Sequence, residues 1–294
     1  MTWQAYRLIY KLQSNMLIGW HTLGYINLTR YYIPGKNMWA SFTDNLTRSE
    51  KEEAGLDGYI KHGNQLKDNV LLSYFYPASN ADKPMMPMMP RYTDEGLWYG
   101  DLPIEQFEKQ YISSVGKTAI LPHINAKEDG SLHEMEFIKP LLSFVGYVFI
   151  AETASGLALD TAKFNNVFKE IFVGGERKYG WGRLTLSGAP LLVRDNLFFG
   201  HTLCLDKEKP QIVLKNDAKY LPAHTEVLPE NKMLCKGNIE NLAGRETLPS
   251  KGNSGAGPGR KITGAKLCWM PGSQLTGDDE IKFRLGAYGL MEEC

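Results

Sequence analysis

Residues 6–12, YRLIYKL, alternate, with Tyr6, Leu8, Tyr10 and Leu12 on one side and Arg7, Ile9 and Lys11 on the other, which is the pattern of a strand with one face firmly buried. The next clear period is helical. From Asn37 to Ala54, Met38, Trp39, Phe42 and Leu46 share one face, and Pro34-Gly35 just before them is the turn signal that opens the helix. Residues 14–30, SNMLIGWHTLGYINLTR, with Gly19, His21 and Gly24, predict a loop. Residues 69–76, NVLLSYFY, predict a second strand. The pattern then breaks over 77–103, rich in proline, which cannot supply the interior of a strand or helix and is long for a simple connection. That stretch predicts a projecting insertion, whose Met85, Met86, Met88 and Met89 either wedge against a flat partner or pack back onto the parent domain.

A short amphipathic helix over 103–114 buries Ile104, Phe107 and Tyr111, and two further strands follow over 132–138 and 141–151. Asp160 is placed to cap a second long helix, on which Phe164, Val167, Phe168, Ile171 and Phe172 recur until Gly174-Gly175 stop it. After the glycines comes another alternating strand. The order is strand, helix, strand, interrupted strand, helix, glycine loop, strand, which predicts an α+β, ferredoxin-like (RRM-like) βαββαβ domain over 1–195 with the insertion 77–103 in its middle. Residues 196–294 form a C-terminal extension of short strand-like pieces (211–214, 266–270, 281–285) around the glycine-rich SKGNSGAGPGRKITG. With Lys251, Arg260 and Lys261, that stretch is either a linker or a second polymer-facing loop.

Composition narrows the function more than the fold. A chain of 294 residues that is 43% hydrophobic supports a large core. Its formal charge of +0 and isoelectric point near 7.0 give no global basic field, so any nucleic-acid contact must come from local patches. Cys204, Cys235, Cys268 and Cys294 form no CxxC pair, which removes support for a zinc ribbon and predicts reduced thiols in a cytoplasmic protein. The start of the chain lacks the apolar core of a secretion signal and no run approaches a membrane span, so no membrane association is expected. No metal or cofactor is expected either.

The chemistry concentrates in Val173–Leu186, VGGERKYGWGRLTL, where Gly174, Gly175, Gly180 and Gly182 surround Arg177 and Lys178. Glycines let backbone N–H groups approach a phosphate while the basic pair neutralises it; equally, they let a strand pass close to a neighbour. The glycines follow a helix and precede a strand, the reverse of the dinucleotide fingerprint, and no Gly-Lys-Ser/Thr ending makes a P-loop. A polymer backbone is therefore the better ligand than a mononucleotide. Lys36 and Asn37 at the first turn of the early helix are placed for an anion, although Asn37 serves equally as an N-cap.

Three segments, YYIPGKNMW, GSLHEMEFI and GGERKYGWGRL, together resemble the CRISPR-associated RAMP superfamily, the ferredoxin-like subunits that hold guide RNA in type III effector complexes. The resemblance covers roughly residues 5–190. It implies RNA-backbone binding by Lys36, Asn37 and Gly174–Lys178 with Trp181 and Arg183 nearby, a thumb at 77–103, and as partners the guide RNA, other RAMP-type subunits, the large subunit and, indirectly, target RNA. Cleaving members carry an aspartate in the loop after the first strand. Here His21–Ile33 holds neither Asp nor Glu, and Asn27 stands about where the acid belongs, which argues for a non-cleaving cap that grips the 5′ handle, or an inactive backbone subunit. The alternative is a metal-independent guide-processing endoribonuclease using His21 with Tyr25 or Tyr31 as acid–base groups.

Overall fold

The structure is a computed structural model that describes residues 2–50, 55–79, 86–118, 120–121, 126–127, 130–152, 161–215, 220–228, 234–248, 257–276 and 280–294. Its centre is an antiparallel sheet in which Glu170–Phe172, Arg183–Leu186, Trp3–Leu12, Leu142–Ala151 and Val70–Leu72 lie side by side in that order. The even-numbered side chains of Trp3–Leu12, Leu8, Tyr10 and Leu12, join Phe144 and Val148 from the facing strand in one apolar cluster. Four helices are described, and the first, α1 (Gly35–Ser49), lays Met38, Phe42 and Leu46 onto that cluster. Beside it α2 (Leu56–Asn69) contributes Leu66, and α4 (Thr161–Phe168) contributes Phe164 and Phe168. Phe42 and Phe168 stack with ring centres 4.2 Å apart, and full burial of such a ring contributes about 1.5–3 kcal/mol. The small helix α3 (Ile104–Tyr111) buries Phe107 and Tyr111 as its period requires.

The odd-numbered face of the same sheet is also covered. Ala5, Tyr147, Phe149 and Ala151 pack against Phe198, Leu203, Ile212 and Phe283 of the C-terminal region. This explains why 141–151 is apolar along nearly all its length, Ser143 apart, since a strand covered on both faces has no side left to face water. The C-terminal region is itself an eight-stranded sheet running from Leu197–Phe198 to a long hairpin, Ile239–Leu248 with Gly257–Trp269.

Several expectations are corrected. The loop expected over 14–30 contains a hairpin, Gly19–Leu23 with Ile26–Thr29, in a four-stranded sheet completed by His133–Ile138 and Ile112–Lys117. The first helix ends at Ser49 and α2 follows it. Ile171 and Phe172 leave the helix for the edge strand Glu170–Phe172, paired with Arg183–Leu186, while Asp160 lies outside the described residues. Within 77–103, a segment in which no strand interior was expected, Pro90–Thr93, Gly96–Tyr99 and Leu102–Pro103 form a three-stranded meander. Its prolines sit at strand starts and edges, where a missing N–H costs little. Met88 and Met89 pack inward, Met86 is exposed, and Met85 is outside the described residues.

Candidate nucleic-acid interface

Two of the loop glycines serve the fold first. At Gly174, with φ of 90°, a Cβ would sit 2.2 Å from the Leu17 carbonyl oxygen, and at Gly182, with φ of 75°, 1.9 Å from that of Val173. Only glycine permits both approaches. Here the Gly175 and Gly182 N–H groups donate to Leu17 and Asn15 carbonyls at 2.9 and 2.7 Å, so these amides are spent within the chain. Gly180 is the open one, with nothing within 4 Å of a Cβ placed there. Between them Arg177–Tyr179 makes a 3₁₀ turn that is exposed throughout.

That loop and the start of α1 line one cleft of about 400 Å³, together with the long C-terminal hairpin. Lys36, Asn37 and Gly174 thus meet Arg177, and the hairpin adds Arg245, Glu246 and Gly259. Pro34 occupies the N-cap position of α1, so Asn37 is not the cap. The Lys36 ammonium is buried without a hydrogen-bond partner, 5.1 Å from the centre of the Tyr288 ring. Burial lowers its pKa, with Lys67 adding to the effect and Glu246 opposing it. Arg177 reaches Asp44 at only 3.4 Å, a surface contact of small worth. Glu246 accepts the Tyr288 hydroxyl hydrogen at 2.6 Å and stands 4.0 Å from Lys67.

The other candidates fall around this cleft or away from it. Lys178 is exposed on the turn, and Arg260 on the hairpin next to Gly259. Lys261 lines an adjoining cleft of about 250 Å³ with Trp39 and Tyr59. Trp181 packs on Phe137 with ring centres 5.0 Å apart, and Arg183 is paired with Glu170 at 2.6 Å on the sheet edge. His21 stands exposed beside Trp20 on the Gly19–Leu23 strand and does not line the cleft. Arg245 and Glu246 were absent from the sequence reading; nothing in their local pattern announces that a strand so distant in sequence folds back onto α1.

A second polar assembly was also invisible in sequence. Glu240 receives both Arg30 guanidinium nitrogens at 2.6 and 2.9 Å, Trp20 Nε1–H at 3.0 Å, and a short hydrogen bond from His224 Nε2. The Tyr74 hydroxyl is 2.7 Å from His224 Nδ1. Burial lowers the His224 pKa, so the ring is neutral, donating to Glu240 and accepting from Tyr74. Burial alone would raise the Glu240 carboxyl, but the hydrogen bonds from His224 and Arg30 and the guanidinium charge bring it down to about 2.

Around Asn27, the neighbouring strand supplies acids that the segment itself lacks. Asn27 Oδ1 accepts from the Thr22 hydroxyl at 3.0 Å, while Glu136 accepts the Thr29 N–H at 2.8 Å with one oxygen; its other oxygen lies 3.3 Å from the Tyr31 hydroxyl, which donates at 2.8 Å to Glu108.

No protein-family model and no curated protein matches the chain. Among solved structures, a chain in the cryo-EM structure of the Type III-B Cmr-beta bound to cognate target RNA and AMPPnP, state 1, is similar over 92% of this chain and 85% of its own, at 11% identity and a TM-score of 0.53. A chain of Cmr-beta bound to cognate target RNA matches over 62% of this chain and 96% of its own, at 10% identity and a TM-score of 0.41. A chain of the apo state matches over 66% and 98%, at 9% identity and a TM-score of 0.41. Over nearly its whole length, this protein has the fold of a chain of the Type III-B Cmr-beta assembly.

Proposed function

We propose that this protein is a non-catalytic RNA-binding subunit of a type III CRISPR ribonucleoprotein complex, gripping the guide backbone or its 5′ handle and joining other RAMP-type subunits in antiviral defence. The observation that carries the proposal is the Lys36 ammonium, buried without an acceptor in the cleft that Arg177 and Arg245 also line. A buried donor left unsatisfied costs about 1–3 kcal/mol, and a phosphate oxygen entering the cleft would supply the missing acceptor. The first-turn N–H groups of α1 favour the same charge.

The central strand order, with helices on one face, supports the βαββαβ reading of the core. Non-catalysis is favoured by the Asn27 position, where a neutral amide cannot take a proton or hold a divalent cation as a carboxylate does.

Salt titration of RNA binding tests the proposal. Arg177→Ala with Lys178→Ala weakens binding of the purified chain to single-stranded RNA and flattens the plot of log affinity against log salt by roughly one or two units. An unchanged slope overturns the site. In the same preparation a repeat RNA incubated without metal stays intact; a discrete cut, lost on His21→Ala, would establish the endoribonuclease instead.

A further inference from the structure

We propose that Tyr179 is a stacking platform for one unpaired nucleobase of the RNA held by this loop, an inference that rests on the RNA-binding reading above. Tyr179 is 75% exposed, more than any other large apolar or aromatic side chain among the described residues. Exposure alone says nothing, since scattered apolar side chains are normal on surfaces. What distinguishes Tyr179 is its mounting. It ends the 3₁₀ turn Arg177–Tyr179, which is closed on both sides by left-handed residues, Glu176 at φ 56° and Gly180 at φ 78°. The Tyr179 N–H donates to the Glu176 carbonyl at 2.9 Å and the Gly180 N–H to that of Arg177 at 3.0 Å.

The ring is also supported from behind. The Lys117 ammonium lies 4.4 Å from its centre and 4.9 Å from that of Trp181, and it is tied to the Glu176 carboxylate of the same turn. Trp181 in turn rests on Phe137. One side of the Tyr179 ring thus sits on a fixed cation, the other is open to solvent, and Arg177 and Lys178 precede it in the turn. An anchored aromatic face beside phosphate-neutralising cations is the combination that holds single-stranded nucleic acid with little regard for sequence, because every base has a π-face.

The test compares a short oligouridylate with an abasic sugar-phosphate chain of the same length, binding the full-length protein. On oligouridylate, Tyr179→Phe stays within about twofold of the natural protein and Tyr179→Ala weakens binding about tenfold, with the salt slope unchanged because no charge is removed. On the abasic chain the Ala variant and the natural protein bind alike. The inference is overturned if Tyr179→Ala binds oligouridylate as well as the natural protein, or if the loss persists on the abasic chain. In either case a continuing loss in the Arg177→Ala/Lys178→Ala variant leaves the RNA reading standing, whereas failure of the natural protein to bind either chain overturns both. Equal thermal melting of the Tyr179 variants excludes misfolding as the cause.

Discussion

Glu240 and Lys36 are both charged groups drawn into the protein, and they are treated in opposite ways. Around Glu240, Arg30, Trp20 and His224 answer the carboxylate, and Tyr74 completes the chain of hydrogen bonds. At Lys36 the ammonium has no acceptor, and the opening that it shares with Arg177 and Arg245 holds the carboxylates of Asp44 and Glu246, three cations to two anions. A polar network closed on itself fixes how segments meet. An open one with a surplus of one sign keeps capacity for something outside the chain. The closed set joins the Gly19–Thr29 hairpin region, the strand region at Tyr74 and the base of the long C-terminal hairpin, so its role is to hold these pieces in register.

The largest effect should come from opening the closed set. Glu240→Leu strands the Arg30 guanidinium in a buried place, and unfolding in urea should show a loss of about 3–5 kcal/mol. A loss as small as that of a surface substitution would break the contrast. RNA affinity of the folded fraction should hold.

Acid opens the same set more gently. His224 has its folded pKa depressed below 6.5, and Glu240 has its own depressed from 4.5 to about 2. Stability contributed by a depressed group is complete above its unfolded pKa and is lost as pH falls through the folded value. The urea midpoint should therefore begin to fall as pH drops below about 6.5, and fall further between about 4.5 and 2. His201, whose pKa burial also lowers, shares that window, so His224→Gln, which can still donate to Glu240 and accept from Tyr74, should shrink the first decline and His201→Gln should remove the rest; a decline unchanged by His224→Gln would place that titration elsewhere.

The open set should lose no stability. Lys36→Met removes an ammonium that is buried without an acceptor, so stability should hold or rise, by up to about 1–3 kcal/mol, while RNA binding weakens and its salt slope falls by about one unit. Early melting would make Lys36 structural and the cleft a poor candidate.

The strand Trp3–Leu12 was legible because its polar and apolar residues alternate, Leu142–Ala151 because it is apolar along nearly all its length, and Lys36 and Arg177 because helix openings and glycine loops are local signals. The misses have local causes as well. In α2, LDGYIKHGNQLKDN, much of the inward face is Gly58, Gly63 and His62 rather than large apolar residues, and Gly63 is there because the Trp39 ring lies against it. Phe168 and Ile171 share helical spacing, yet the chain turns between them to pair Ile171 with Leu184. The hairpin carrying His21 keeps Trp20, Leu23 and Tyr25 exposed, so no buried face marks it. Arg245 and Glu240 depend on partners far along the chain, which no local pattern encodes.

The central position of the Trp3–Leu12 strand also sets a schedule for synthesis. Tyr10 pairs with Phe144 on one side and with Leu186 on the other, so this strand leaves the ribosome with no sheet partner until about half of the 294 residues have been made. At about 5–20 residues per second, the wait is on the order of ten seconds, with an apolar strand unpaired on both edges. Such non-local pairing folds slowly and is open to aggregation in the interval. The nascent chain, more than the finished protein, is therefore the stage at which a trigger-factor-like holdase would matter for yield.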